Sequence, residues 1–202
     1  MNYPYQLVRV ISVWVVAVVL AACGGGATEE VFVTTEPGED TSAQQQEVLD
    51  SADAYMKRGI ANYEQGKLDH AIADFTSAME LEPDNPDFYI NRGSAYASKG
   101  NYDKALSDYD QAIEINPEDA EPHIGRGVVF QQQGNPEQAI ANYDQAIEIN
   151  PEHVGAYFNR GKLYADMGET AKAIADLEKV VELDEEESLW SSQAEDLLEQ
   201  LQ

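Results

Sequence analysis

The sequence predicts an all-α solenoid of four stacked hairpins, and three observations carry that expectation. The decapeptide Tyr109–Glu118 recurs letter for letter at Tyr143–Glu152, an offset of 34 residues. An Arg-Gly pair marks the same phase four times, at Arg58-Gly59, Arg92-Gly93, Arg126-Gly127 and Arg160-Gly161. Within a copy, apolar side chains fall at i, i+3 and i+4, the spacing of one helix face. A hairpin of this length cannot bury its apolar face alone, so the copies must stack and share a core. Such a stack presents an extended curved surface and no ready-made catalytic pocket.

The chain opens on a segment of a different kind. In residues 1–22 Arg9 is the single charged side chain, and Val10–Leu20 is almost wholly apolar. That run is too short to span a bilayer, which needs roughly 20 residues, and it matches the hydrophobic region of a secretory signal. It ends Leu20-Ala21-Ala22-Cys23, which resembles a bacterial lipoprotein lipobox. The resemblance implies cleavage before Cys23 and attachment of lipid to its thiol, placing the protein on a membrane's extracytoplasmic face. An ordinary cleaved signal with a chance cysteine is the alternative. Cys23 is the sole cysteine, so no disulfide competes for it.

Residues 23–44 read as a flexible acidic tether. Gly24-Gly25-Gly26, Pro37-Gly38 and many Thr and Glu break any helical or strand period. Twenty such residues reach about 25 Å by random-coil scaling. Further on, Val48, Ala52, Tyr55, Gly59 and Asn62 share one helical phase, which lets the first helix start near Ser42.

The copies span 52–85, 86–119, 120–153 and 154–187, within a repeat region of 45–187. The second has Tyr89, Arg92-Gly93 and Tyr96 in one predicted helix and Ala105, Tyr109 and Ala112 in the next, closed by Pro117. The others carry Gly59, Ala71, Phe75, Ala78 and Pro83; Gly127, Ala139, Tyr143, Ala146 and Pro151; and Gly161, Ala173 and Leu177. These residues resemble the tetratricopeptide repeat. The resemblance implies helix–turn–helix units wound into a right-handed solenoid whose first helices line a concave, protein-binding face. Gly within a helix costs about 1 kcal/mol against Ala, so its fourfold recurrence signals close packing, with Gly93 facing Ala105. Asn85 before Pro86 and Asn135 before Pro136 are expected helix caps.

In the last segment, 188–202, Leu189, Trp190, Ala194, Leu197, Leu198 and Leu201 form an apolar stripe opposed by Glu195, Asp196 and Glu199. It reads as a capping helix over the open end of the stack, the alternative being a partner-binding helix. Displaced, it would expose an end through which solenoids could self-assemble into homo-oligomers, a second functional reading of the whole protein.

All four arginines beyond the leader share one phase. An antiparallel hairpin places Arg58 opposite Asp74, Arg92 opposite Asp108 and Arg160 opposite Asp176, which reads as one internal salt bridge per repeat. In the third copy Arg126 meets the neutral Asn142. A ladder of ligand-binding arginines is the alternative reading.

The resemblance puts on the concave face Met56, Ile60 and Tyr63; Ile90, Asn91 and Ser94; Ile124, Val128 and Gln131; and Phe158, Asn159 and Lys162. This track is mostly apolar, with amides able to pair with a peptide backbone, and suits an extended or helical apolar segment of a protein partner. Equally, Met56, Ile90, Ile124 and Phe158 can simply pack between repeats. Some members of the family grip the carboxyl terminus of a chaperone with lysine, arginine and asparagine. Here only Lys57, Asn91 and Asn159 lie nearby, and Asp53, Asp87 and Glu121 oppose an acidic ligand.

With 38 acidic and 12 basic side chains the net charge is −26. Such a surface repels phosphate backbones and disfavours nucleic acid. His70, His123 and His153 are scattered over three copies without metal-ligand spacing. No phosphate loop and no nucleophile–base pair can be built. The expectation is a non-catalytic, lipid-anchored scaffold without cofactor or metal.

Overall fold

A computed structural model of the chain describes residues 51–184 and 189–201. The leader, Cys23, the tether and the run Glu185-Glu186-Glu187 lie outside the described residues. Among those described, nine α-helices follow one another with no strand. Helices α1 (Ala52–Glu64) and α2 (Leu68–Leu81) form the first hairpin, and α3 (Pro86–Ser98) and α4 (Tyr102–Ile115) the second. The third pairs α5 (Glu121–Gln132) with α6 (Pro136–Ile149), and the fourth α7 (Val154–Asp166) with α8 (Thr170–Leu183). Helix α9 (Leu189–Leu201) closes the series. No described helix is long and apolar enough to cross a membrane.

Each hairpin turns on a glycine that the 34-residue register repeats: Gly66, Gly100, Gly134 and Gly168 all have φ between 72° and 77°. At Gly100 the left-handed residue ends α3, and the Asn101 N–H returns 2.9 Å to the Tyr96 carbonyl. That 6→1 bond satisfies a carbonyl left open at the helix end. A side chain with Cβ is disfavoured there by about 1 kcal/mol or more.

Inside the first three hairpins, the mid-helix glycine makes room for the aromatic ring of the second helix, and in the fourth Gly161 faces Asp176 and Leu177. A Cβ on Gly127 would sit 2.4 Å from Tyr143 Cε1, and one on Gly59 would sit 2.5 Å from Phe75 Cε1. At Gly93 the near neighbour is the Tyr109 ring at 2.9 Å, not the Ala105 that the spacing suggested. Ala71, Ala105, Ala139 and Ala173 are fully buried beside these contacts. A ring lying flat on a helix backbone buries more apolar area than two small residues meeting, and that area drives the packing.

The helices sort into two layers. Successive first helices α1, α3, α5 and α7 touch one another, whereas the second helices α2, α4, α6 and α8 do not touch. The first helices therefore follow the shorter, inner arc and form the concave face.

One expected helix start and one expected cap are corrected. Helix α1 begins at Ala52, because Ser51 is extended (φ −100°, ψ 147°) and its hydroxyl caps the Ala54 N–H at 3.1 Å. A helix continuing unbroken from Ser42 is excluded by that cap. Asn85 caps α3 by accepting from the Asp87 N–H at 3.1 Å, but Asn135 makes no side-chain cap to α6.

At the C-terminal end, α9 folds back on α8 and α7. Ala194, Leu197, Leu198 and Leu201 pack against Phe158, Leu177 and Val180. The Trp190 ring meets Phe158 edge-on at 4.9 Å. The Ser191 N–H donates to Asp184 across the bend at 3.1 Å. Phe158, Leu177 and Val180 are at most 5% exposed, so this helix takes the place a fifth repeat would hold.

Candidate functional site

The concave layer divides the twelve candidate binding residues into two groups. Met56, Ile90, Ile124 and Phe158 enter the hydrophobic clusters between helices, with Ile124 and Phe158 buried. Their phase points each first helix at its neighbours. Val128 packs against the third hairpin's core. Ile60 (36% exposed), Tyr63 (37%) and the exposed Lys162 face outward and stay available to a partner.

The polar members are tied into a network of hydroxyls and amides. Tyr63 and Ser98 hydroxyls meet at 2.9 Å, joining the first two repeats. Ser94 donates to the Ile90 carbonyl and lies 3.1 Å from the Tyr109 hydroxyl. Tyr143 donates to Gln131 at 3.0 Å, and Asn91 to the Asp87 carbonyl at 2.7 Å. Burial pushes the Tyr109 phenol up to about 12 and raises that of Tyr143 further, so both stay protonated donors near neutrality. Asn159 lies beside the cleft described below.

The arginine phase forms a second, independent constellation. Arg58 binds Asp74 through Nε and Nη2 at 3.0 and 2.6 Å. Arg92 binds Asp108 at 2.9 and 2.8 Å, and Arg160 binds Asp176 at 2.8 and 2.7 Å. The three carboxylates are buried, at 5–6% exposure. Each of the last three arginines also reaches back to the preceding repeat: Arg92 to Thr76 at 3.1 Å, Arg126 to Asp110 at 2.9 Å, and Arg160 to Asp144. These guanidinium groups bridge adjacent hairpins as well as their own. The backward partners sit 16 residues upstream as the Asp partners sit 16 downstream, a symmetry the sequence contained and the sequence reading missed.

The third repeat departs from the expected pairing. Asn142 donates to the Gln138 carbonyl at 2.7 Å and forms no bond to Arg126. The Arg126 Nε is buried without a partner, and the Arg126 guanidinium turns to Asp110 instead. The cause is acceptor strength: a carboxylate outcompetes an amide oxygen for guanidinium, while the amide NH2 of Asn142 needs an acceptor of its own.

Between the third and fourth repeats the concave side opens into a cleft of about 550 Å³. Ile124, Val154 and Trp190 give it apolar walls, and Glu121, Glu152 and Asn159 polar ones. His153 accepts the Ala156 N–H on Nδ1 at 3.3 Å, capping α7, and meets Glu121 through Nε2 at 3.0 Å. The hydrogen bond that Glu121 accepts holds His153 above its ordinary value of 6.5, and His153 holds Glu121 below its own 4.5. Stability from the raised imidazole is complete below 6.5 and fades as pH rises through the raised folded value. That from the lowered carboxylate is present above 4.5 and fades as pH falls through the lowered value. The ion pair is therefore strongest in the mildly acidic range between, where protonation of Nδ1 gives up the cap on the Ala156 N–H. In a Glu121→Gln variant, which removes the largest cause of the rise and leaves burial opposed only by the His153 backbone and Asp119, NMR titration should find the His153 pKa lower than in the parent protein.

His123, expected as a core ring, is half-buried, and burial lowers its pKa. His70 is exposed. Among the described residues no three His, Cys, Asp or Glu side chains are grouped as a metal ion would require.

Family models agree with this architecture. A model described as a TPR repeat matches residues 59–100, 93–134 and 132–168, and one described as a tetratricopeptide repeat matches 154–187. Among solved structures, TTC0263, a thermophilic TPR protein of Thermus thermophilus, superposes with a TM-score of 0.64 at 21% identity. The match covers 74% of this chain and 80% of that one. MamA gives 0.59 at 23% identity over 71% and 84% of the two chains. The first TPR of Spaghetti (RPAP3), bound to the HSP90 peptide SRMEEVD, gives 0.53 at 27% over 58% and 93%. No curated protein matches the chain. With more than half of its length matched by repeat models and a fold of four stacked helix pairs, the chain belongs to the tetratricopeptide repeat family.

Proposed function

We propose that this protein is a non-catalytic scaffold that binds a segment of a protein partner on the concave face and is held at a bacterial membrane by lipid on Cys23. The observation that carries the binding reading is the inner layer of first helices, where Ile60, Tyr63 and Lys162 remain exposed beside a hydroxyl and amide network. Spaghetti carries an acidic HSP90 peptide in its solved structure. Here such a peptide would meet the exposed carboxylates of Asp53, Asp87 and Glu121, which favours a neutral or basic segment instead.

Photo-crosslinking tests the face. A crosslinking residue at Ile60 or Lys162 should trap a partner in cells, and one at Ala141, exposed on the second-helix layer, should not. Equal trapping at all three positions would refute a concave site. The anchor is tested apart from it. Cys23→Ser should leave the leader uncleaved and the chain without lipid, which intact mass and membrane fractionation read directly. A normally lipidated Cys23→Ser protein would remove the lipobox reading.

A further inference from the structure

The cleft at the third interface carries a residue that packing does not explain. The same phase in the first turn of each first helix holds Asp53, Asp87 and Glu121, and then Gly155. An acidic side chain there favours the helix dipole, and glycine weakens the helix. Where glycine is required by crowding the structure says so: a Cβ at Gly125 would lie 2.4 Å from the Tyr109 ring. A Cβ at Gly155 would meet only the His153 ring, at 3.4 and 3.5 Å, which is ordinary contact. What glycine does at 155 is leave open the wall of the cleft between repeats three and four.

The other walls state what the opening suits. Ile124 and Val154 offer apolar surface, and Trp190, brought in by α9, is 43% exposed with its ring against Phe158. Glu121, already paired with His153 through Oε1, and Glu152 are exposed carboxylates on the same cleft, and Asn159 adds an amide. An aromatic face and two carboxylates around an apolar slot suit a cation on an aliphatic stem. The chain's own preceding segment cannot supply one, since no Lys or Arg occurs between Arg9 and Lys57.

We propose that this cleft receives an arginine or lysine, flanked by apolar residues, from a segment of the protein partner. The aliphatic stem lies against Ile124, Val154 and Trp190, and the cation meets Glu121 and Glu152. The assignment rests on the reading of the concave face as a protein-binding surface and adds to it the position and charge of the anchoring side chain.

The test uses the purified full chain and a positional-scanning library of acetylated, amidated 12-residue peptides. Binding is read by Trp190 fluorescence in a Trp14→Phe background. Peptides with Arg or Lys beside an apolar residue should bind at least about tenfold more tightly than the same peptides with Glu, the weight of two partly exposed ion pairs. Glu121→Gln with Glu152→Gln should erase that preference. Gly155→Leu, whose Cβ meets only ordinary contacts, should abolish the binding while circular dichroism shows an unchanged fold. If peptides bind without charge preference, or bind equally to the Gly155→Leu protein, the cleft assignment fails while the concave-face reading stands. If no peptide in the library binds the unmodified chain, both fail. Concentration-dependent self-association that Gly155→Leu removes would assign the cleft to a second copy and overturn the proposal.

Discussion

Replacing Arg92 with alanine should lower the unfolding free energy by about 3–5 kcal/mol, the cost of leaving a buried carboxylate without its cation. Asp108 is 5% exposed and accepts from Arg92 through both oxygens, so the mutant strands a charge that water reaches poorly. Thr76 loses its contact to the same guanidinium, and with it the second repeat loses a tie to the first. The side chain of Arg92 is itself 19% exposed, which places the effect toward the lower end of that range. Leucine at both residue 92 and residue 108 should recover much of the loss, because an apolar pair of similar volume can replace a buried ion pair. A double-mutant cycle between Arg92 and Asp108 in urea denaturation isolates the pair. A coupling energy near zero would remove it from the forces that hold the hairpin.

The third repeat supplies the control. Arg126 has for partner only Asp110, whose side chain is 56% exposed, so Arg126→Ala should cost no more than about 1 kcal/mol. Asn142→Asp should act in the opposite direction. It restores at residue 142, in the register of Asp74, Asp108 and Asp176, the acceptor that those residues offer their own arginines and that the buried Arg126 Nε lacks. A gain of about 1–2 kcal/mol is expected for a charge-assisted bond to a buried donor. An Asn142→Asp protein no more stable than the parent would mean that Arg126 cannot leave Asp110.

Deleting residues 188–202 should have the other large effect. Without α9, water reaches Phe158, Leu177 and Val180, which are at most 5% exposed beneath it. Each such side chain is worth about 1.5–3 kcal/mol when fully buried, and the entropy regained by the freed segment offsets part of the loss. The unfolding midpoint should fall, and light scattering should show association that grows with protein concentration. In a solenoid, end repeats are stabilised from one side only, so the damage should begin in the fourth repeat. Hydrogen exchange would locate it there. An equally stable, monomeric truncation would show that the fourth repeat closes its own core and that α9 serves a partner instead.

The fold was legible in the sequence because its information is local and fourfold repeated. A single 34-residue period with an Arg-Gly mark already contains the hairpin, the need to stack and the aromatic positions Phe75, Tyr109 and Tyr143. The Arg–Asp pairs of the first, second and fourth repeats could be read from an antiparallel register alone. The backward half of the arginine bridges, to Thr76, Asp110 and Asp144, needed the stacking angle between repeats, which no within-repeat spacing specifies. The same angle decided that Arg126 takes Asp110 and leaves Asn142 to Gln138, a competition between acceptors that appears only once both are within reach. Periodicity could nominate Met56, Ile90 and Phe158 for either a ligand or the core, and only the packed neighbours could assign them to the core, while Ile124 packs there and shows its remaining edge to the cleft. The cleft beside Gly155 belongs wholly to tertiary structure. Its walls come from α5, α7, α9 and the turn before α7, and its depth depends on one absent side chain whose meaning is invisible until the space around it is seen.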